Sequence, residues 1–154
     1  MSVSVAFEVV PTGTIGAEVR GVDLAAVTGA QVAAIKKAWY RHDVLIFRNQ
    51  EMTDDDLLSF SRHFGTLDPT PNQGTGRKSP PGYPDVYVVS NVLDDKGEPI
   101  GGLGDGEAAW HTDMSYVSKP PDASMLLARN PGQRGRHLVL RHESRACENA
   151  AAVG

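Results

Sequence analysis

The stretch Gly104-Asp-Gly-Glu-Ala-Ala-Trp-His-Thr-Asp-Met-Ser-Tyr116 constrains the chain more than any other, because it sets His111 and Asp113 two positions apart. On a strand, residues i and i+2 project to one face, so an imidazole and a carboxylate spaced in this way can grip a single ion. Thr112 then points to the opposite face. A facial triad of two histidines and one carboxylate holds Fe(II) on one side and leaves the remaining positions open, and this pair supplies two of its three ligands. The tripeptide alone has a bland counterpart, a surface strand with a solvated Asp and a partly buried His. Its neighbours decide between the two.

Around this stretch the chain reads as short strands interleaved with two capped helices. Val3, Val5 and Phe7 alternate as a half-buried strand does, until Pro11-Thr-Gly13 breaks the run. Ile15 to Leu24 is a second extended stretch. Thr28 can cap a helix over about Ala30 to Tyr40, with Val32, Ile35, Ala38 and Trp39 on one face. Val44-Leu-Ile-Phe47 has the compactness of a buried strand. Thr53 then caps an acidic first turn, Asp54-Asp55-Asp56, where negative charge complements the helix dipole, and Leu57, Leu58, Phe60 and Phe64 form the buried stripe. Gly65 stops that helix. Residues 72–84, rich in Gly, Pro and Ser, read as a loop, Asp85 to Ser90 as a strand, and Asp94-Asp95-Lys96-Gly97 as a turn. The Gly104-x-Gly106 that follows lacks the downstream Gly and helix of a phosphate cradle.

Composition narrows the function classes. A chain of 154 residues buries one core. With Asp+Glu 19 against Lys+Arg 15 the balance is −4, which offers a polyanion nothing, so nucleic acid is not an expected partner. Cys147 is the single cysteine, which excludes an internal disulfide and suits a reducing compartment. No stretch approaches the roughly 18 apolar residues that span a bilayer, and the N-terminus lacks a basic, then apolar, leader. A soluble cytoplasmic protein without membrane partners is expected, and a homo-oligomer is left open.

Several separate segments, in order, resemble one family. Gly16-Ala-Glu-Val-Arg-Gly-Val-Asp-Leu24, Phe64-Gly-Thr-Leu67, Trp110-His-Thr-Asp-Met-Ser-Tyr116, Lys119-Pro-Pro121 and Ala123-Ser-Met-Leu-Leu-Ala128 are similar to segments of the taurine dioxygenase and 2,4-dichlorophenoxyacetate dioxygenase family. The resemblance implies an α+β, mainly β fold, a double-stranded β-helix (jelly-roll, cupin-like) with N-terminal helices. It implies Fe(II) as cofactor, with His111 and Asp113 as metal ligands, and 2-oxoglutarate and O2 as co-substrates. The implied reaction hydroxylates a small organic substrate while 2-oxoglutarate is converted to succinate and CO2. A substrate-contacting histidine follows the Phe-Gly-x-Leu segment in taurine dioxygenases. This chain has Asp68-Pro-Thr70 there, so taurine itself is not the expected substrate.

The resemblance runs through residues 1–129 and fails after Arg129. The family continues with an acidic residue, an apolar-Pro pair and Gly-Gly-Asp-Thr, whose threonine contacts 2-oxoglutarate. The chain reads Asn130-Pro-Gly-Gln-Arg-Gly-Arg-His-Leu-Val-Leu-Arg-His-Glu-Ser144 instead. Permitted codons for this stretch, read one nucleotide forward, spell Ile-Pro-Ala-Ser-Gly-Gly-Asp-Thr-Trp-Phe-Cys-Asp-Met-Asn, the expected continuation. Residues 130–154 are therefore expected to be a frameshifted, poorly ordered tail and the β-helix to be incomplete. The distal iron-binding histidine and the arginine that pairs with 2-oxoglutarate are expected to be missing, since His137 and His142 lie in the shifted stretch. The expectation is an N-terminal portion of a dioxygenase, inactive as it stands. The rival readings are a noncatalytic remnant and a cupin-like metal- or ligand-binding module, which fits His-x-Asp but leaves the order of segments unexplained.

Overall fold

The computed structural model describes residues 6–68, 79–90, 92–98, 100–103, 114, 118–129 and 137–142. The chain divides into two compact units, residues 1–65 with 112–154, and residues 66–111. The first holds a five-stranded sheet in the order β1-β2-β3-β7-β6.

β1 (Glu8–Pro11) and β2 (Ala17–Arg20) form an antiparallel hairpin with Val9 opposite Val19. The opening strand expected from the alternation of Val3, Val5 and Phe7 up to the break at Pro11-Thr-Gly13 is described from Glu8 to Pro11, and residues 1–5 fall outside the described residues. Pairing extends only as far as β2 runs, and β2 ends because Gly21 turns the chain at φ 80°, a conformation that side chains resist. A short 3₁₀ turn follows at Leu24–Ala26, capped by the Asp23 side chain. Thr28 then closes a capping box with Gln31: the Thr28 hydroxyl accepts from the Gln31 N–H at 3.3 Å, and Gln31 Oε1 accepts from the Thr28 N–H at 2.8 Å. The helix it starts, α1 (Gly29–His42), buries the face anticipated from the sequence, Val32, Ile35, Ala38 and Trp39. Asp43 ends it at φ 62°, donating its N–H to the Trp39 carbonyl at 2.9 Å.

β3 (Val44–Phe47) lies parallel to β2, so β2, α1 and β3 make a βαβ crossover. Leu45 and Phe47 are fully buried beneath the helices. α2 (Asp54–Arg62) starts on a second capping box, Thr53 with Asp56, so the acidic run is indeed a helix start. Its Phe60 packs edge-on against Phe47 and Phe64, ring centroids 6.2 and 5.2 Å away. Leu57 and Phe64 pack partly buried on the same cluster, whereas Leu58, placed on that stripe by its spacing, lies outside it. His63 is exposed at the helix end, away from any core role.

β6 (Ala123–Ala128) matches the expected apolar strand; Met125 and Leu127 pack on the core. The Ser61 hydroxyl donates to the Leu57 carbonyl at 2.7 Å and lies 3.0 Å from Met125 Sδ, joining α2 to β6. Arg129, just past β6, pairs with Asp54 at the start of α2.

The stretch expected to be an unordered tail is not wholly without structure. His137–His142 forms β7 between β3 and β6, antiparallel to both. The physical reason is tertiary: Leu138-Val-Leu140 falls in register with Leu45, Ile46 and Phe47 on one side and with residues 125–127 on the other. An apolar tripeptide between two apolar strands forms a ladder that its own sequence period does not announce.

In the second unit, β4 (Val89–Ser90) pairs in parallel with β5 (Gly102–Leu103). The strand expected from Asp85 to Ser90 is shorter than its composition suggests. Turns occupy its approach, with Tyr83 N–H donating to the Pro80 carbonyl at 3.0 Å and Val86 N–H to the Tyr83 carbonyl at 3.1 Å. The Asp94 turn forms as anticipated: Asp94 Oδ1 accepts from the backbone N–H groups of Lys96 and Glu98, both at 2.9 Å. Gly101 lies so close to β4 that a Cβ there would stand 2.7 Å from the Ser90 backbone nitrogen.

Candidate metal centre

His111 and Asp113 lie outside the described residues, as do Trp110, Thr112 and Tyr116. Within this stretch Met114 is described, and it takes the left-handed conformation at φ 53°. A non-glycine residue there costs energy, so the chain turns sharply directly after the carboxylate of the His-x-Asp. The exposed residues Ser118, Lys119 and Pro120 then lead by a bend into β6. Among the described residues no group of three His, Cys, Asp or Glu side chains could hold a metal ion. The expected ligands, His111 and Asp113, therefore lie outside the described residues.

The described residues build one other polar cluster, where β2 and β3 end. Glu18 forks onto Arg20, with Arg20 Nε 3.1 Å from Glu18 Oε1 and Arg20 Nη2 donating to Oε2 at 3.1 Å. Arg48 Nε reaches Glu18 Oε2 at 3.5 Å. The Arg20 hydrogen bond holds the Glu18 carboxyl below its ordinary range; partial burial opposes this, and the charges of Arg20 and Arg48 add to it. Beside this triplet, Gln50 is buried and fully engaged. Its amide nitrogen donates to the carbonyls of Val22 at 3.0 Å and Arg48 at 3.1 Å, and its oxygen accepts from the Leu24 N–H at 3.0 Å. These groups border an open depression on the surface. The Arg48–Glu18 pair and Gln50 tie the end of β3 to β2 and the turn after it, so these groups act as structural ties. Sequence reasoning passed over Gln50; the signal was a polar Arg-Asn-Gln run directly after a buried strand.

The sheet and helices are similar to those of solved dioxygenases. A taurine dioxygenase from Burkholderia xenovorans superposes with a TM-score of 0.58 at 30% identity, over 82% of this chain and 42% of that one. Pentalenolactone F synthase of Streptomyces avermitilis is 36% identical over 122 residues, 77% of this chain and 39% of its own. The (S)-phenoxypropionate/alpha-ketoglutarate-dioxygenase of Delftia acidovorans is 32% identical over 120 residues, 71% of this chain and 37% of its own. The model of the taurine catabolism dioxygenase TauD, TfdA family matches residues 8–139. The chain belongs to that family, and it spans well under half the length of these relatives. The match reaches into β7, ten positions past the point where the sequence resemblance was read to stop. Among the described residues, no helix is long and apolar enough to cross a membrane.

Proposed function

We propose that the chain is the front portion of an Fe(II)- and 2-oxoglutarate-dependent dioxygenase acting on a small organic substrate, with His111 and Asp113 as two of the metal's three protein ligands. The single observation that carries this reading is the family match over residues 8–139, which includes the His-x-Asp. The metal, when bound, supplies oxidation of an unactivated carbon with O2 and 2-oxoglutarate, chemistry that side-chain acids and bases do not provide. The chain's own share is positional. On a strand the i, i+2 spacing of His111 and Asp113 would put both ligands on one face, and Met114, the next described residue, takes a left-handed turn. The fold this reading requires is a double-stranded β-helix, of which the five-stranded sheet would be one face. Taurine is not the substrate expected, since Asp68-Pro-Thr70 stands where the sulfonate-contacting histidine belongs.

The second part of the proposal concerns residues 130–154, read as the product of a one-nucleotide frame shift. β7 favours it. In the alternative frame, Leu138, Val139 and Leu140 become Trp, Phe and Cys, so both frames place three apolar residues at the centre of this strand. The genetic code makes this natural: Leu and Val codons carry U in second position, and the next frame's codons then begin with U. A strand position can therefore survive the shift while the Gly-Gly-Asp-Thr segment, which lies before it, is lost.

One experiment tests both parts. The frame is restored just after Arg129 and the product is supplied with iron, ascorbate, 2-oxoglutarate and candidate small acids. Succinate should form, and His111→Ala or Asp113→Ala should stop it. A restored product that folds and binds 2-oxoglutarate without forming succinate would defeat the assignment. A gene whose alternative frame closes within a few codons of Ser144 would defeat the frame-shift reading alone.

A further inference from the structure

The buried core of the first unit comes from one part of the chain. Among the described residues, every buried hydrophobic side chain lies between Ala17 and Phe60. No residue of β6 is fully buried: Ala123, Met125 and Leu127 pack partly buried on the core, and Leu126 is 58% exposed. The sheet order sets β7 between β3 and β6, with six paired positions toward β6 and four toward β3. The β3 pairing joins segments far apart in the chain, whereas β6 and β7 are near neighbours. Two side-chain contacts tie β6 to α2, Ser61 with Met125 and Arg129 with Asp54. The ion pair is partly exposed, and such pairs add little. Burial supplies most of the stability of a fold, so a segment that buries little separates at a lower cost than the core it lies on.

We propose that β6 and β7 form a strap that leaves β3 and returns to it as one unit, while α1, α2 and β1 to β3 stay folded beneath. A two-stranded hairpin alone is marginal in water, so both strands give up their ladder together once they are off β3. β3 then keeps β2 on one side and bares the other edge of Val44-Leu-Ile-Phe47. In an antiparallel pairing the N–H groups of a strand point alternately to its two sides, so opening singles out alternate amides of β3. The motion needs no metal and is independent of the proposed chemistry.

The test is amide hydrogen exchange of the whole chain, followed residue by residue at low and rising urea. The ladder amides of β6 and β7 should share one opening free energy and exchange about tenfold or more faster than those of α1. The β3 amides directed to β7 should exchange with the strap, and those directed to β2 should stay with α1. A single exchange class for strap and α1, separate opening of β6 and β7, or β3 amides that do not divide would overturn the proposal. Val139→Pro removes the N–H at the centre of β7, opposite Ile46 and Leu126. It should strip protection from the strap and leave α1 unchanged. Equal loss of protection in α1 would make β7 part of the core and overturn the proposal, as would an unchanged strap.

Discussion

Gln50 Oε1 accepts a hydrogen bond from the Leu24 N–H at 3.0 Å while the same amide donates to the Val22 carbonyl at 3.0 Å, so one side chain closes both open backbone groups of a turn 26 to 28 residues away. The residue is 6% exposed. Replacing Gln50 by Leu leaves a buried donor and a buried acceptor without partners, a cost of about 2–3 kcal/mol. Urea unfolding should show a lower midpoint with an unchanged slope. An unaltered midpoint would mean that water reaches these groups once the amide is gone.

Phe60 joins α2 to the sheet: it is 1% exposed and lies edge-on to both Phe47 and Phe64. Phe60→Ala should cost about 3–5 kcal/mol, the sum of lost transfer energy and the cavity left behind. Phe60→Leu should cost clearly less, because most of the volume is kept. Thermal unfolding of the two variants checks the order.

The second capping box makes stability depend on acid. Asp56 accepts from the Thr53 hydroxyl and from the Thr53 N–H at 2.8 Å, and these hydrogen bonds, the hydroxyl first, hold its carboxyl below the ordinary Asp value. The folded form therefore binds its proton less readily than the unfolded chain. The contribution is whole above the ordinary carboxylate range and fades as pH falls through and below it. Asp56→Asn should destabilise the chain at pH 7 and cost progressively less as pH falls below about 4. Unfolding midpoints of the two proteins, measured across that range, should converge at the acid end.

Gly101 tests the smaller β-pairing. A Cβ at this position would meet the Ser90 backbone nitrogen at 2.7 Å and the Val88 carbonyl oxygen at 2.8 Å, both backbone atoms that cannot swing aside. Gly101→Ala should therefore separate β4 from β5. The expected readout is faster amide exchange at Val89 and Ser90, with exchange in α1 and β3 unchanged.

Legibility followed the range of the interaction that decides each element. Both helices were readable because Thr28 and Thr53 announce themselves locally, each with its capping partner three residues on. β3 and β6 were readable because each is a compact apolar run. What escaped depends on distant partners. β7 exists because β3 and β6 flank it, and its own residues, His137-Leu-Val-Leu-Arg-His142, lie in a stretch without a clean period. β4 is cut short by turns and by having only two residues of β5 to pair with. Gln50 acquires its role from carbonyls and an N–H that no local pattern reveals. At the candidate site the motif was legible as a spelling, His111-Thr-Asp113, and Met114 adds the turn that follows it.

Metal binding by His111 and Asp113 is tested most directly by titration. Fe(II) would be titrated into the purified chain under argon, alongside His111→Ala and Asp113→Ala, with an Asp105→Asn control that alters a nearby carboxylate outside the pair. One weak site is expected, its affinity lowered at least tenfold by either ligand substitution and unchanged in the control. Equal Fe(II) affinity in the parent chain and both ligand variants would contradict the assignment of His111 and Asp113 as the metal's hold on this chain.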